Sequence, residues 1–175
     1  GTVKADNPQL NVRGIDTERQ PLKVIVDSKL EISPDARLLQ TGRVLIAHTE
    51  PQTPAWLLTH PNAANIEALN VAPVAAGLHA GKVKTDLLRL LQELAQRGIN
   101  ELHLEAGFGL NGSFLQAGVV DEIVQYIAPR FLGPGQGLFR LPELEILPAY
   151  ASWAIHSFEQ IGQDLRITWV QNNQE

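Results

Sequence analysis

Apolar positions change period several times along the chain, and each change marks an element. Residues 22–26 (Leu-Lys-Val-Ile-Val) form a short β-branched run ended by Asp27-Ser28, which predicts a buried strand. Residues 43–48 (Arg-Val-Leu-Ile-Ala-His) predict a second strand, with a helical turn at Pro34-Asp35-Ala36-Arg37 between the two. The proline-rich stretch 51–61 predicts a loop with a short strand at 56–59. Residues 62–69 predict a short helix and 70–75 another strand. The first twenty residues follow no period, and Asp6-Asn7-Pro8 is a turn signal.

The clearest helix follows. Thr85 suits an N-cap and Asp86 the first turn. Leu87, Leu88, Leu91, Leu94 and Ala95 recur at helical spacing, and Gly98 is the expected stop. Residues 101–105 (Glu-Leu-His-Leu-Glu) alternate as a strand, which puts His103 and Glu105 on one face. A glycine loop, a helix over 109–117 closed by Gly118, and a strand over 122–128 come next. The tail reads as an antiparallel hairpin, 153–160 and 165–170 around Ile161-Gly162-Gln163-Asp164. Strands alternating with helices predict an α/β fold with a mostly parallel sheet flanked by helices, carrying that hairpin at its C-terminal end. No repeat and no second domain is visible, so 1–175 is read as one domain.

Gly107-Phe108-Gly109-Leu110-Asn111-Gly112 matches G-x-G-x-x-G between a predicted strand and a predicted helix. Backbone N–H groups at such a helix start face an anion, and small residues let a pyrophosphate approach. The pattern leaves a ligand-free tight turn equally open. A Rossmann site has a specific difficulty: it wants an acid at the end of the next strand, and that strand runs into Tyr126-Ile127-Ala128-Pro129-Arg130. A dinucleotide loop in another fold remains.

Composition narrows the chemistry. A formal net charge of −5 argues against nucleic-acid and membrane-surface binding, which need a basic footprint. With no cysteine there is no disulfide, thiol nucleophile or thiolate metal site. His48, His60, His79, His103 and His156 have no metal-ligand spacing, so no metal is expected. Gly112-Ser113 lacks the full nucleophile-elbow motif, which argues against a serine hydrolase. No apolar run is long enough to span a membrane, no signal peptide is visible, and a cytoplasmic location is expected. The chain has no methionine and starts Gly1-Thr2-Val3, so further sequence is expected upstream.

Residues 2–13 (Thr-Val-Lys-Ala-Asp-Asn-Pro-Gln-Leu-Asn-Val-Arg) are similar to the T-V-x-A-D-[DN]-P-x-L-x-V-R signature of the riboflavin-biosynthesis reductases. In bacteria these form the C-terminal half of a bifunctional pyrimidine deaminase/reductase. Residues 21–28 resemble the family's P-x-x-V-I-x-D-S strand, Glu105-Ala106-Gly107 its E-[GA]-G loop, and 115–122 and 126–133 its two following segments. The match runs in order along nearly the whole chain. Asn7 stands where aspartate is common. Family members begin further upstream, so the N-terminal part of the fold, and some substrate-phosphate contacts, are expected to be missing here.

The resemblance implies a dihydrofolate-reductase-like fold with NADPH as cofactor. It implies reduction of the ribosyl group of 5-amino-6-(5-phosphoribosylamino)uracil to ribityl, by hydride transfer to C1′. Carried over by position, Thr2 and Asp6 line the nicotinamide side, and Asp6 is also the catalytic candidate, orienting or protonating the reacting centre. Leu10, Arg13 and Glu105 contact substrate; the planar fork of Arg13 suits a phosphate or a pyrimidine carbonyl. Ser28 offers the cofactor a hydroxyl. Gly107, Phe108, Gly109, Leu110, Asn111, Gly112 and Ser113 form the cofactor-phosphate loop. A homodimer and an N-terminal zinc deaminase domain in the parent protein are expected on the same ground. Two other readings stay open: a related pyrimidine or pterin reductase, and a non-catalytic truncated assembly module.

Overall fold

The structure is a computed structural model that describes residues 2–74, 84–143 and 152–172. Two compact units make up the chain, Gly1–His103 and Leu104–Glu175. The expected α/β architecture is present, with a parallel sheet and an antiparallel C-terminal hairpin.

The first unit is built on three parallel strands in the order β1-β2-β3: β1 (Lys23–Val26), β2 (Val44–His48) and β3 (Ile66–Asn70). All five residues of β2 are buried because both of its faces are covered, which is why it reads as a continuous apolar run. Val44 and Ile46 pack with Ile25 against Ile32, Ala36, Leu38, Leu39 and Leu57. Leu45 and Ala47 face the other way, onto Leu90 and Leu94 of the helix α3 (Leu87–Gln96) and onto Val71. Lys23 is buried at the start of β1. Its ammonium donates to the carbonyls of Leu38 and Thr41 at 3.0 and 2.8 Å, and desolvation lowers its pKa.

Several local expectations give way to tertiary structure. Residues 2–6, read as irregular, form the short helix α1 (Thr2–Asp6), whose Val3 packs against the Ile25 cluster. Residues 56–59 form a helical turn, α2 (Trp56–Thr59), rather than a strand; Leu57 points into the core and Leu58 into solvent. The helix expected over 62–69 is a 3-10 turn, Ala63–Asn65, followed by β3. Asn62 fixes that turn by donating to the Leu39 and Gly42 carbonyls at 2.9 and 3.0 Å, and pairing with β2 then outweighs local helix propensity. Of the strand expected over 70–75, Pro73–Val74 forms β4, antiparallel to β5 (Lys84–Thr85); Ala75, like His79, lies outside the described residues.

In α3 the cap is Asp86, not Thr85: the Arg89 N–H donates to Asp86 Oδ1 at 3.0 Å. The buried pair is Leu90 and Leu94, with Leu88 and Ala95 outward. Gly98 closes the helix at φ 77°, where a side chain would strain the backbone.

The second unit holds α4 (Phe108–Gln116) and an antiparallel sheet ordered β6-β8-β7, from β6 (Glu122–Ile127), β7 (Trp153–Ile161) and β8 (Asp164–Gln171). Gly162, at φ 63°, takes the first central position of the β7–β8 turn, which suits the II′ hairpin class. The expected strand at 101–105 does not form, since none of the described strands pairs with it. Its alternation therefore does not place His103 and Glu105 on a common strand face.

Candidate functional site

In the first unit, Thr2 is half-buried and Asp6 exposed at the two ends of α1. The Asp6-Asn7-Pro8 turn closes the helix: the Asn7 N–H donates to the Val3 carbonyl, and Asn7 Oδ1 accepts from the Arg37 N–H at 2.9 Å. That contact gives Asn7, at φ 42°, a structural task. Leu10 has φ 49°, an uncommon conformation for a branched apolar residue, and is half-buried. Arg13 is exposed.

The carboxyl ends of the parallel strands carry a row of polar groups, at the edge where ligands bind in open α/β sheets. The Asp27 N–H donates to the Ala47 carbonyl, so the β1–β2 register continues and sets Asp27 beside His48, which in turn is opposite Asn70. Alternation puts the three on the same face as Ile25 and Ile46. Asp27 Oδ2 accepts from the Ile32 N–H at 2.7 Å, and Asn70 donates to the Glu50 carbonyl.

His48 is 2% exposed, and neither ring nitrogen has a hydrogen-bond partner among the described residues. Burial pushes its pKa below the usual imidazole value, against the opposing pull of Glu50 and Asp27. Nothing in the spacing of histidines along the chain signals this residue; its row exists only through strand register.

Ser28 follows in the turn after β1. Its carbonyl accepts from both the N–H and the hydroxyl of Thr49, at 3.0 and 2.9 Å. Its Oγ accepts from the Thr85 N–H at 3.1 Å and lies 3.0 Å from Thr85 Oγ1. Thr85 is buried. Its place before α3 suggests a helix cap, and the separation of 57 residues hides the contact.

In the second unit the glycine loop opens α4 as expected. Gly107 is the N-cap, with extended φ −82° and ψ 168° and no side-chain cap. The Leu110 and Asn111 N–H groups both donate to the Gly107 carbonyl. The Phe108 and Gly109 N–H groups have no acceptor among the described residues. A Cβ at Gly109 would meet nothing within 4 Å among the described residues. An anion could take those two donors with support from the helix dipole.

The far side of the loop is used internally. The Arg140 N–H donates to the Phe108 carbonyl at 2.9 Å, and Gln116 donates to the Arg140 carbonyl at 3.0 Å. The Arg140 guanidinium lies 5.8 Å from the centre of the Phe108 ring. Gly112 has no room for a side chain against Arg140. The Ser113 hydroxyl donates to the Gly109 carbonyl at 3.1 Å, within the helix. Asn111 Nδ2 donates to the Ala106 carbonyl at 3.0 Å, while its Oδ1 is buried without a partner among the described residues. Glu105 is exposed just before the loop. None of the helices in the described residues is long and apolar enough to cross a membrane.

Residues 1–167 match the RibD C-terminal domain family. The riboflavin biosynthesis protein RibD of Haemophilus influenzae is 35% identical, over 97% of this chain and 45% of its own length. A 5-amino-6-(5-phosphoribosylamino)uracil reductase from Buchnera aphidicola is 27% identical, over 95% of this chain and 81% of its own. Among solved structures, Acinetobacter baumannii RibD superposes with a TM-score of 0.78 at 28% identity, over 98% of this chain and 45% of that one. This chain thus spans about half the length of the RibD relatives. With the glycine-loop helix, the parallel sheet and the C-terminal hairpin all in place, the chain belongs to the RibD C-terminal domain family.

Proposed function

We propose that this chain is the NADPH-dependent reductase part of a riboflavin-pathway enzyme, acting on 5-amino-6-(5-phosphoribosylamino)uracil. The observation that carries this reading is the family match over 1–167, together with an uncapped helix start whose two free donors open at Gly109. The Buchnera relative, a 5-amino-6-(5-phosphoribosylamino)uracil reductase, supports the substrate. The residues present fit a dinucleotide phosphate: Phe108 and Gly109 offer N–H groups, and the missing Cβ at 109 leaves space for it.

When bound, NADPH supplies the hydride that reduces C1′ of the ribosyl group. The chain's own task is positioning, since direct hydride transfer needs no protein nucleophile. On this reading residues 107–113 form the cofactor-phosphate loop: the Phe108 and Gly109 N–H groups meet the phosphate, and Asn111, Gly112 and Ser113 also keep the loop in shape. Thr2 and Ser28 contact the cofactor. Leu10, Arg13 and Glu105 bind substrate, Arg13 through its planar fork. Asp6 touches the cofactor and holds or delivers the proton that accompanies the hydride. The relatives' greater length, with the family resemblance of residues 2–133, supports a deaminase domain in the parent protein.

The test is NADPH binding and turnover by the full-length protein. Gly109→Asp places a carboxylate where the phosphate is proposed to lie and is expected to abolish binding. Unchanged NADPH affinity in that variant would overturn the assignment of this loop. Turnover of another pyrimidine or a dihydropterin, with none of the phosphoribosylaminouracil, would overturn the substrate.

A further inference from the structure

Two contacts join Thr85 to the Ser28 hydroxyl, and the donors and acceptors on each side must balance. A serine hydroxyl has one proton and two acceptor lone pairs. One lone pair of Ser28 Oγ takes the Thr85 N–H at 3.1 Å. The second contact, Oγ to Thr85 Oγ1 at 3.0 Å, could run either way. Thr85 is 3% exposed, and its hydroxyl has no other partner among the described residues. If Ser28 donated, the Thr85 proton would be stranded in the interior, which costs more than an unfilled lone pair. Ser28 is half-buried, so its own proton can be met from outside. The bond therefore runs from Thr85 to Ser28. Both lone pairs of Ser28 are then filled, and its hydroxyl can only donate.

The backbone around Ser28 is held as firmly. Its carbonyl accepts two bonds from Thr49, and the preceding Asp27 is tied to Ala47 and Ile32. Thus, among the described residues, the one open hydrogen-bonding direction of the Ser28 hydroxyl is its outward proton.

We propose that Thr85 is a positioning residue that makes the Ser28 hydroxyl a fixed, donor-only group for an acceptor oxygen of the dinucleotide. The acceptor is a phosphoryl oxygen or the carboxamide carbonyl, not a hydroxyl that must itself donate. The proposal rests on the reading of Ser28 as a cofactor contact. It deepens that reading by naming the polarity of the contact and the residue that sets it.

The experiment uses the full-length protein with Thr85→Val, Thr85→Ser, Ser28→Ala and the double variant Thr85→Val/Ser28→Ala. Thr85→Val keeps the shape and removes the donor. The Kd for NADPH is expected to rise about fivefold to tenfold, the worth of one hydrogen bond. KM should follow with kcat unchanged, and Thr85→Ser should restore both. In the Ser28→Ala background Thr85→Val should have no further effect on Kd, because the two act through one hydroxyl. If Thr85→Val lowers the thermal midpoint but leaves Kd unchanged, Thr85 is only structural and the proposal fails. It fails equally if Ser28→Ala binds NADPH normally.

Repeating the titration with 2′-phospho-ADP-ribose, which keeps every phosphate and lacks nicotinamide, separates the two acceptors. A loss that persists assigns a phosphoryl oxygen, and one that disappears assigns the carboxamide. NMR supplies a readout that needs no cofactor: a slowly exchanging Thr85 hydroxyl proton is expected, and its appearance on Ser28 instead overturns the bond direction. Absence of NADPH binding by the unaltered protein, with that Thr85 proton in place, would overturn the reductase reading and leave the Thr85–Ser28 bond standing.

Discussion

Gly112 and Arg140 are separated by less than a side chain: a Cβ on Gly112 would lie 2.7 Å from the Arg140 nitrogen and 2.8 Å from its carbonyl carbon. The third glycine of the loop is thus a packing glycine, while Gly109 opens onto space. Alanine at the two positions should separate folding from binding. Gly112→Ala forces backbone apart and is expected to cost about 1–3 kcal/mol, read as a lower urea midpoint. Gly109→Ala should leave that midpoint unchanged or slightly raised, since alanine favours helix, and weaken NADPH binding on titration. Equal destabilisation by both would contradict this division.

Asp6 is exposed at the end of α1, so replacing it touches no core. Asp6→Asn is expected to lower kcat by about 10²-fold or more, the range of a lost proton-transfer group. The thermal midpoint should stay where it is. Full turnover in Asp6→Asn would remove Asp6 from the reaction.

Leu94 joins Leu90 in sealing one face of the parallel sheet and is 2% exposed. Leu94→Ala should cost about 2–5 kcal/mol by equilibrium denaturation. Leu88→Ala, on the outward side of the same helix, should fall within about 0.5 kcal/mol of the parent.

The neutral, buried imidazole of His48 links stability to pH. Its folded pKa lies below the ordinary value of 6.5 because burial disfavours the charged form. Above 6.5 both folded and unfolded chains carry it neutral and its full stability is present. As pH falls, the unfolded chain binds the proton first, and stability is lost as pH falls through the folded pKa. His48→Gln should therefore flatten the fall in urea midpoint between about pH 7 and about pH 5. An equally steep fall in the variant would assign the dependence to other groups.

Asp86 caps the start of α3. Asp86→Ala removes the acceptor for the Arg89 N–H and should cost about 1 kcal/mol in the same denaturation assay. Thr85→Val at the neighbouring position should act on cofactor affinity instead.

The chain's own pattern determined β1, β2, α3, α4, β6 and the terminal hairpin, because each is signalled by neighbours in sequence: β-branched runs, a 3.6-residue period, or a glycine at a turn. The ordered motifs from Thr2 to Gly133 also identified the family, and the glycine loop was visible as a strand-to-helix phosphate candidate. Tertiary structure decided what depended on distant partners. Pairing with β2 turned 66–70 into a strand, and the absence of a pairing strand left 101–105 without one. The close passage of Arg140 gave Gly112 its task, and register set Asp27, His48 and Asn70 in one row. Thr85 reaches Ser28 across 57 residues, a contact no local spacing can encode, because it exists only when β5 is brought against the turn that follows β1.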